Sequence, residues 1–326
     1  MPSRRRFLQA SISLATPLVP LASRAQDVFP SRPIRIIVPY ATGGITDILA
    51  RLLAQPMEQS LGARVLVDNR PGAGGTLGTD LVAKAPADGY TIVLGALSPL
   101  VISKIATEKL AYDPMTDFAP VTQLASGPLV LVVHPSVPAT TAKELVALLR
   151  EKPDSLSYSS AGAGTPSHLC AELFKSRLGV RMTHVPYKGF GASLTDLLAG
   201  QVQLTFDSPA SLLPVIKSGK LRALAVTSDS RAPLLPDVPS FAELGFGGLD
   251  VSGWYGLLVP AKTPAPVVEQ LRVAAVAAVG AKEVSSKIVE LGAVPRTGTS
   301  REFADLIAAE HARWLPIVKA IGLTMN

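Results

Sequence analysis

Short apolar runs alternate with amphipathic stretches along almost the whole chain. The run at 34–38 is rich in β-branched residues and predicts a strand, and the apolar spacing at 47–61 predicts a helix that ends at Gly62. The same alternation returns between residues 156 and 227 and again after residue 254. It predicts an α/β fold with mainly parallel sheet.

Two irregular segments divide this pattern into lobes. Residues 118–133 form a long, extended and mostly apolar stretch, and residues 234–248 are rich in proline and glycine. We interpret the first as a crossing between two lobes and the second as the connection back. Residues 26–125 and 248–326 are therefore predicted to form lobe 1 and residues 126–247 lobe 2, with a hinge between them. The cleft of such a pair is a preferred ligand site.

The first 25 residues have the features of an export signal. Arg4, Arg5 and Arg6 form a basic head, an apolar stretch follows, and small residues precede a cleavage site near Ala25. The arginines favour the twin-arginine route, while the third of them leaves the general secretory route open. Loss of the segment lowers the formal charge from +6 to +2, because it holds four arginines and no acidic residue. The prediction is a periplasmic protein that does not bind nucleic acid.

Glycine-rich loops follow predicted strands in both lobes. They lie at 40–47, 69–76, 159–165 and 187–191. Each places backbone N–H groups and the start of a helix at the carboxyl edge of a sheet, where open α/β sheets bind ligands. A helix N-terminus carries unsatisfied donors and a partial positive charge, and glycine lets a ligand approach the backbone. The loops therefore predict an anion-binding site shared by the two lobes.

The residues that would indicate catalysis or a cofactor are not arranged for it. Cys170, the single cysteine, falls on an apolar helix face, and none of the four histidines forms a metal-binding pair with another. The glycine loops lack the full spacing of a nucleotide-binding loop, and no Gly-x-Ser-x-Gly motif is present. We therefore predict no enzymatic activity, no cofactor and no metal. Asp47 at a helix start and Asp207 at a strand end fit the helix dipole and local hydrogen bonding better than a catalytic pair.

The same loops carry a resemblance to a known family. The segments that carry it lie at 29–40 (FPSRPIRIIVPY), 43–47, 69–75 (NRPGAGG), 158–165, 184–189 (HVPYKG), 219–226, 235–239 and 254–257. Over essentially the whole mature chain, the sequence resembles the substrate-binding receptors of tripartite tricarboxylate transporters, also called the Bug family. The resemblance implies a two-lobed periplasmic binding protein type II fold that closes on a small carboxylate. It also implies membrane permease subunits as partners.

The resemblance further implies which residues bind the solute, with a carboxylate held largely by loop amides, hydroxyls and ordered water. In lobe 1 the matching positions are Tyr40, Thr42, Gly43, Gly44, Asp47, Ala96 and Ser98. In lobe 2 they are Ser160, Gly164, Thr165, His168, Tyr187, Lys188 and Asp207.

Some positions depart from the family pattern. Thr42 stands where proline or alanine is common, and Ala192 and Ser193 replace a usual Pro-Ala pair. Phe190 is bulkier than usual and, if it faces the cleft, favours a smaller or more apolar acid. Two alternatives to a monomeric transport receptor stay open. One is a solute sensor that signals to a membrane kinase, and the less supported one is a hydrolase or transferase on the same lobes.

Overall fold

The computed structural model describes residues 29–187 and 189–325, so the predicted export signal lies outside the described residues. The strand predicted at 34–38 is confirmed residue for residue, and Gly62, with a φ of 70°, ends the first helix. Lobe 1 begins with β1 (Ile34–Val38), α1 (Ile45–Leu61), β2 (Val65–Asn69), α2 (Thr76–Ala83), β3 (Thr91–Ala96), α3 (Ser103–Ala106) and β4 (Phe118–Pro128).

Lobe 2 follows as one continuous stretch of chain. It contains β5 (Val130–Val133), α4 (Ala142–Glu151), β6 (Ser157–Ser160), α5 (Pro166–Leu178), β7 (Thr183–Pro186), α6 (Phe190–Leu198), β8 (Leu204–Asp207), α7 (Pro209–Lys217) and β9 (Arg222–Val226). Pro166 occupies the first position of α5, where its missing N–H costs no hydrogen bond.

The chain then returns to lobe 1. The returning part contains β10 (Ser252–Pro260), α8 (Ala265–Gly280), α9 (Lys282–Glu290), β11 (Val294–Pro295) and α10 (Ser300–Ala320). Thr299 and Glu302 form a complete capping box at the start of α10, in which each side chain accepts from the other residue's N–H. At α4 the hydroxyl of Thr141 accepts from the N–H of Glu144, whereas the Glu144 carboxylate accepts from Thr140.

Each lobe is built on one mixed sheet. The strand order is β11-β4-β10-β3-β1-β2 in lobe 1 and β7-β6-β8-β5-β9 in lobe 2. The neighbours β3-β1-β2 and β7-β6-β8 are parallel, and the other pairs are antiparallel. The two-lobed α/β fold is confirmed, but the prediction of mainly parallel sheets is wrong. The reason is that β5 enters lobe 2, and β10 re-enters lobe 1, against the direction of the parallel strands beside them.

The chain crosses between the sheets at two neighbouring places. β4 passes into β5 through Leu129, and the return to β10 begins after Thr227. The Thr227 N–H donates to the carbonyl of Leu129 at 2.9 Å, and its hydroxyl accepts from the Leu129 N–H at 2.8 Å. The same hydroxyl donates to the carbonyl of Val251. Thr227 therefore ties the outgoing crossing to the returning one, while the lobe limits given above stay a prediction.

Apolar side chains fill both lobes and continue between them. One buried cluster extends from lobe 1 into lobe 2 and includes Ile37, Leu131, Tyr158, Phe206, Trp254 and Trp314. A second packs the lobe 1 sheet against α1 and α8, and a third packs β5 and β9 of lobe 2 against α6 and α7. The carboxyl ends of the parallel strands carry the glycine loops at the edge of each core.

Candidate functional site

The loop after β1 carries four of the predicted ligand-binding residues, and Asp47 follows in the first turn of α1. Thr42, Gly43 and Gly44 are exposed, and Gly44 precedes α1 without a side-chain cap. Gly43 has a φ of 86°, a conformation that glycine adopts readily. A methyl carbon on Gly44 would meet no atom closer than the carbonyl oxygen of Ala41 at 3.9 Å. The backbone at Gly44 is therefore open to an approaching ligand.

Asp47 holds this loop in place. Its side chain is buried, with Oδ2 accepting from the Gly43 N–H at 2.9 Å and Oδ1 accepting from Nε of Arg51 at 3.0 Å. Burial raises the pKa of Asp47, but the hydrogen bonds from Arg51 and Gly43 outweigh it and keep the pKa below its usual value. The Asp47 carboxylate is thus ionised and already hydrogen-bonded to Gly43 and Arg51, which makes Asp47 a positioning residue.

Tyr40 and Ser98 lie beside the glycine loop that follows β2. A methyl carbon on Gly75 would lie 3.1 Å from the Tyr40 hydroxyl, and one on Gly74 would lie 3.7 Å from Oγ of Ser98. Burial raises the pKa of Tyr40, so its hydroxyl stays a protonated donor. Ser98 is 5% exposed. Ala96 is buried at the end of β3 beneath this edge.

Ser160, Gly164 and Thr165 belong to the loop between β6 and α5. The hydroxyl of Thr165 donates to the carbonyl of Gly162 at 2.7 Å, and Oγ of Ser160 accepts from the Gly162 N–H at 3.2 Å. These bonds fix the loop internally. No side chain caps the start of α5, so the first turn of that helix keeps donors for a ligand.

A stack of three rings supports this loop from inside lobe 2. The Nδ1 atom of His168 accepts from the Gly164 N–H at 3.1 Å. The His168 ring stacks on His184 with 4.1 Å between centroids, and His184 stacks on Tyr158 at 4.7 Å. Burial lowers the pKa of both histidines, to about 4 for His184. Both rings are therefore neutral near pH 7, and His168 holds the N–H of Gly164 in the loop.

The loop after β7 is also tied into lobe 2. The hydroxyl of Tyr187 donates to Oδ2 of Asp196 at 2.7 Å, and its N–H donates to the carbonyl of Ser160 at 3.0 Å. Burial, together with the charge of Asp196, raises the pKa of Tyr187 to about 12. The phenol is therefore occupied within its own lobe. Lys188 lies outside the described residues.

Asp207 ends β8 and faces lobe 1. Its Oδ1 accepts from the Ser208 N–H at 2.7 Å, and no salt bridge involves it within the described ranges. Burial raises the pKa of Asp207 to about 7. Burial raises the pKa of Tyr255 in β10, and the charge of nearby Asp207 raises the pKa of Tyr255 further. The sequence interpretation did not select Tyr255, although the segment 254–257 that contains it carried part of the family resemblance.

The two lobes contact each other at Gly164. A methyl carbon on Gly164 would lie 3.6 Å from Cγ2 of Ile102 and 2.6 Å from Sδ of Met325, both in lobe 1. The structure therefore brings the lobe 1 edge near Tyr40 and Ser98 to the lobe 2 edge near Gly164. Met325 was not predicted, because nothing in its local sequence marks it as a cleft residue.

Four helices begin at this cleft without a side-chain cap. α1, α2, α5 and α6 begin after Gly44, Gly75, Thr165 and Gly189, and none of these residues supplies a side-chain cap. Each start presents unsatisfied N–H donors and a partial positive charge, which suit a carboxylate.

Two further features of the described residues limit the chemistry. Within 29–187 and 189–325, no group of three or more His, Cys, Asp or Glu side chains is placed to hold a metal ion. In the same ranges, every helix is too short or too polar to cross a membrane.

Comparison with known proteins gives consistent matches over most of the chain. The model of the tripartite tricarboxylate transporter family receptor matches residues 49–323. Protein BugT of Bordetella pertussis is 36% identical over 301 residues, which cover 92% of each chain.

Two solved structures from Rhodopseudomonas palustris are similar. Rpa4515 with adipate is 36% identical with a TM-score of 0.83, covering 91% of this chain and 99% of its own. MatC with bound malate is 34% identical with a TM-score of 0.79, covering 89% of this chain and 100% of its own.

Proposed function

Because the chain belongs to the tripartite tricarboxylate transporter receptor family, we propose that it is a periplasmic receptor that binds a small carboxylate and delivers it to membrane permease subunits. The adipate and malate in the two similar structures support a carboxylate as the ligand class. The role requires reversible binding and no catalysis. We propose that the receptor acts as a monomer, with its first residues removed on export.

One observation carries this proposal. The carboxyl ends of the parallel strands in both sheets meet at one cleft, and the helices that follow begin there without side-chain caps. Each such start contributes about 0.3–1 kcal/mol to the binding of an anion, and up to about 2 kcal/mol when partly buried. With direct hydrogen bonds, several starts account for micromolar binding, about −8 kcal/mol.

We assign the two edges different parts in recognition. On lobe 1, the open backbone at Gly44 and the hydroxyls of Tyr40 and Ser98 are donors for one carboxylate. On lobe 2, Asp207 has no cation beside it, and with its pKa near 7 a protonated fraction can donate a hydrogen bond to the solute. Ionised Asp207 instead repels a carboxylate, so the two edges recognise the acid only when Asp207 holds a proton.

The experiment is a thermal-shift and calorimetric titration of the mature protein with malate, adipate and related acids. A ligand that binds only the folded state stabilises it by RT ln(1 + [L]/Kd), about 2.7 kcal/mol at 100 times Kd. We expect at least one acid to bind with a Kd near or below micromolar and to be recovered chemically unchanged.

A matched control separates carboxylate recognition from general stabilisation. 1,6-Hexanediol has the carbon chain of adipate without its charges and should leave the melting temperature unchanged. Absence of a shift with every acid, or conversion of a bound acid to a product, would contradict the proposed function.

A further inference from the structure

The segment Leu323–Met325 turns back from the end of α10 toward the cleft. Gly322 has a φ of 61°, and the N–H of Leu323 donates to the carbonyl of Val318 at 3.2 Å, which closes the helix with a left-handed residue. The N–H of Met325 then donates to the carbonyl of Ala106 at 2.8 Å, at the end of α3. These backbone bonds fix the position from which the Met325 side chain extends.

The Met325 thioether lies between one glycine of each lobe. A methyl carbon on Gly74 of lobe 1 would lie 3.1 Å from Cε of Met325, and one on Gly164 of lobe 2 would lie 2.6 Å from its Sδ. Any larger residue at Gly164 would therefore displace the thioether. Met325 thus fills a gap between the lobes that exists because both positions are glycine.

This contact lies next to the donors of the cleft. The methyl position on Gly74 that touches Met325 is also 3.7 Å from Oγ of Ser98, and Ile102 lies on the Gly164 side of the contact. Ser98 therefore offers a hydroxyl near one end of the cleft, and Met325 and Ile102 close that end with apolar atoms.

A cavity of about 380 Å³ borders the contact between Gly74, Gly164 and Met325. Its lining includes Gly74, Thr76, Tyr112, Ala163 and Met325, and Ser98 does not line it. Shortening the Met325 side chain would open the cleft toward this cavity. The Met325 side chain then sets the length of solute that fits. It can be substituted without changing the residues that donate to the carboxylate.

We propose that Met325 is a specificity-determining residue that forms the apolar end wall of the cleft. This inference rests on the proposed function, since it assigns the part of the carboxylate solute that faces Met325. That part is the hydrocarbon that extends past the carboxylate held at Ser98, because a thioether and the Ile102 side chain offer no donor to a second carboxylate. Met325 also limits how long that hydrocarbon part can be.

The first test is a chain-length series of dicarboxylates and monocarboxylates, titrated against the wild type, Met325→Ala and Met325→Leu. Met325→Ala should bind longer acids than the wild type does, with each added methylene that enters the new space strengthening binding by about fourfold. Met325→Leu keeps an apolar side chain of similar volume and should keep the wild-type profile. Identical profiles for wild type and Met325→Ala would overturn the proposal.

The second test does not depend on finding a ligand. Ala163→Cys combined with Met325→Cys should be linked by a short bis-maleimide, because both positions line the same cavity. Each single variant is a control, and Cys170 should not react because it is fully buried. Failure to cross-link would overturn the placement of Met325 between the lobes. If cross-linking succeeds while no acid binds the wild type, the placement of Met325 is supported and the proposed function is contradicted.

Discussion

Two helix starts outside the cleft and two at the cleft are built in different ways. α4 and α10 begin at Thr141 and Thr299, whose hydroxyls accept from the N–H of a glutamate three residues later. α1 and α5 begin at the cleft, after Gly44 and Thr165, and no side chain caps either start.

The two pairs of helix starts lie at different places in the fold. α4 follows Val133 of β5, which pairs with the first residue of β8, whereas the cleft lies at the last residue of β8. The side-chain caps of α4 and α10 satisfy helix donors and add stability. α8 and α9, which begin after Pro264 and Ala281, have no side-chain cap. A start at the cleft leaves its donors for an anion, which is a cost to stability that ligand binding recovers.

Glu302 outside the cleft and Asp207 at the cleft also differ in their pKa. Hydrogen bonds from Thr299, first from its N–H and then from its hydroxyl, lower the pKa of Glu302, so this acid is ionised and used by the fold. Burial without a cation raises the pKa of Asp207 to about 7. Asp207 is therefore partly protonated near pH 7. Asp47, also at the cleft, is ionised because Gly43 and Arg51 donate hydrogen bonds to it.

The largest expected effect is from Gly44→Val at the start of α1. The added side chain has room, since the nearest atom to a methyl carbon there is 3.9 Å away, and the backbone is in the extended region that valine adopts. It should cover the open donors and weaken carboxylate binding by roughly 100-fold or more, about 2.7 kcal/mol. The melting temperature should fall by no more than about 4 °C, because valine is a poorer N-cap than glycine by about 1 kcal/mol.

A matched variant places the same change outside the cleft. Gly247 lies in the connection back to lobe 1, and a methyl carbon there meets no atom within 4 Å. Gly247→Val should leave the Kd unchanged. Equal loss of binding in both variants, measured by titration calorimetry, would remove the distinction between the two regions.

An intermediate effect is expected from Asp207→Asn, with stability and carboxylate binding measured as a function of pH. In the folded protein the pKa of Asp207 is about 7, above its ordinary value of 3.8. Protonated Asp207 therefore stabilises the folded state at low pH, and this stabilisation is lost as the pH rises from about 4 to about 7. Above pH 7, ionised Asp207 should weaken carboxylate binding by up to about tenfold per pH unit. The asparagine variant should lack both trends.

The wild-type profile itself decides whether Asp207 is the titrating group. Kd values for one acid are measured between about pH 6 and pH 9 on both proteins, with folding followed by circular dichroism. A wild type whose Kd stays flat above pH 7, or an asparagine variant with the same slope as the wild type, would show that Asp207 does not act on the ligand.

The smallest effect is expected from Thr299→Ala at the start of α10. Loss of the hydroxyl that accepts from the Glu302 N–H should destabilise the protein by about 1 kcal/mol, roughly 2 °C in melting temperature. Carboxylate binding should not change, because this cap is used by the fold alone. Thr299→Ser keeps the hydroxyl and should restore the melting temperature, and a changed Kd in Thr299→Ala would contradict the separation of the two regions.

Local sequence was sufficient for most elements but not for how they pair. β1 was predicted residue for residue, because its apolar residues depend only on the pattern along the chain. The sheet direction was wrong for β5 and β10, because pairing joins strands that are far apart in sequence. The short helix α3 and the strand β11 were not predicted, since neither is long enough to show a period.

The candidate site divides in the same way. The glycine loops and the residue types of the cleft could be identified from the chain, because glycine after a strand marks an open helix start. The sequence did not show which of these side chains are free to contact a ligand. Asp47 is held by Gly43 and Arg51, and Tyr187 donates to Asp196, both contacts that depend on how a loop folds back on its helix.

The sequence alone determined the alternation of strands and helices, the two-lobed arrangement and the loops that offer backbone donors, since each is written in short-range patterns of apolar residues and glycine. Only the tertiary structure decided that Asp207 meets Tyr255 and that Met325 lies between Gly74 and Gly164. Contacts between residues more than 40 positions apart follow from how the lobes pack, and no local pattern encodes them.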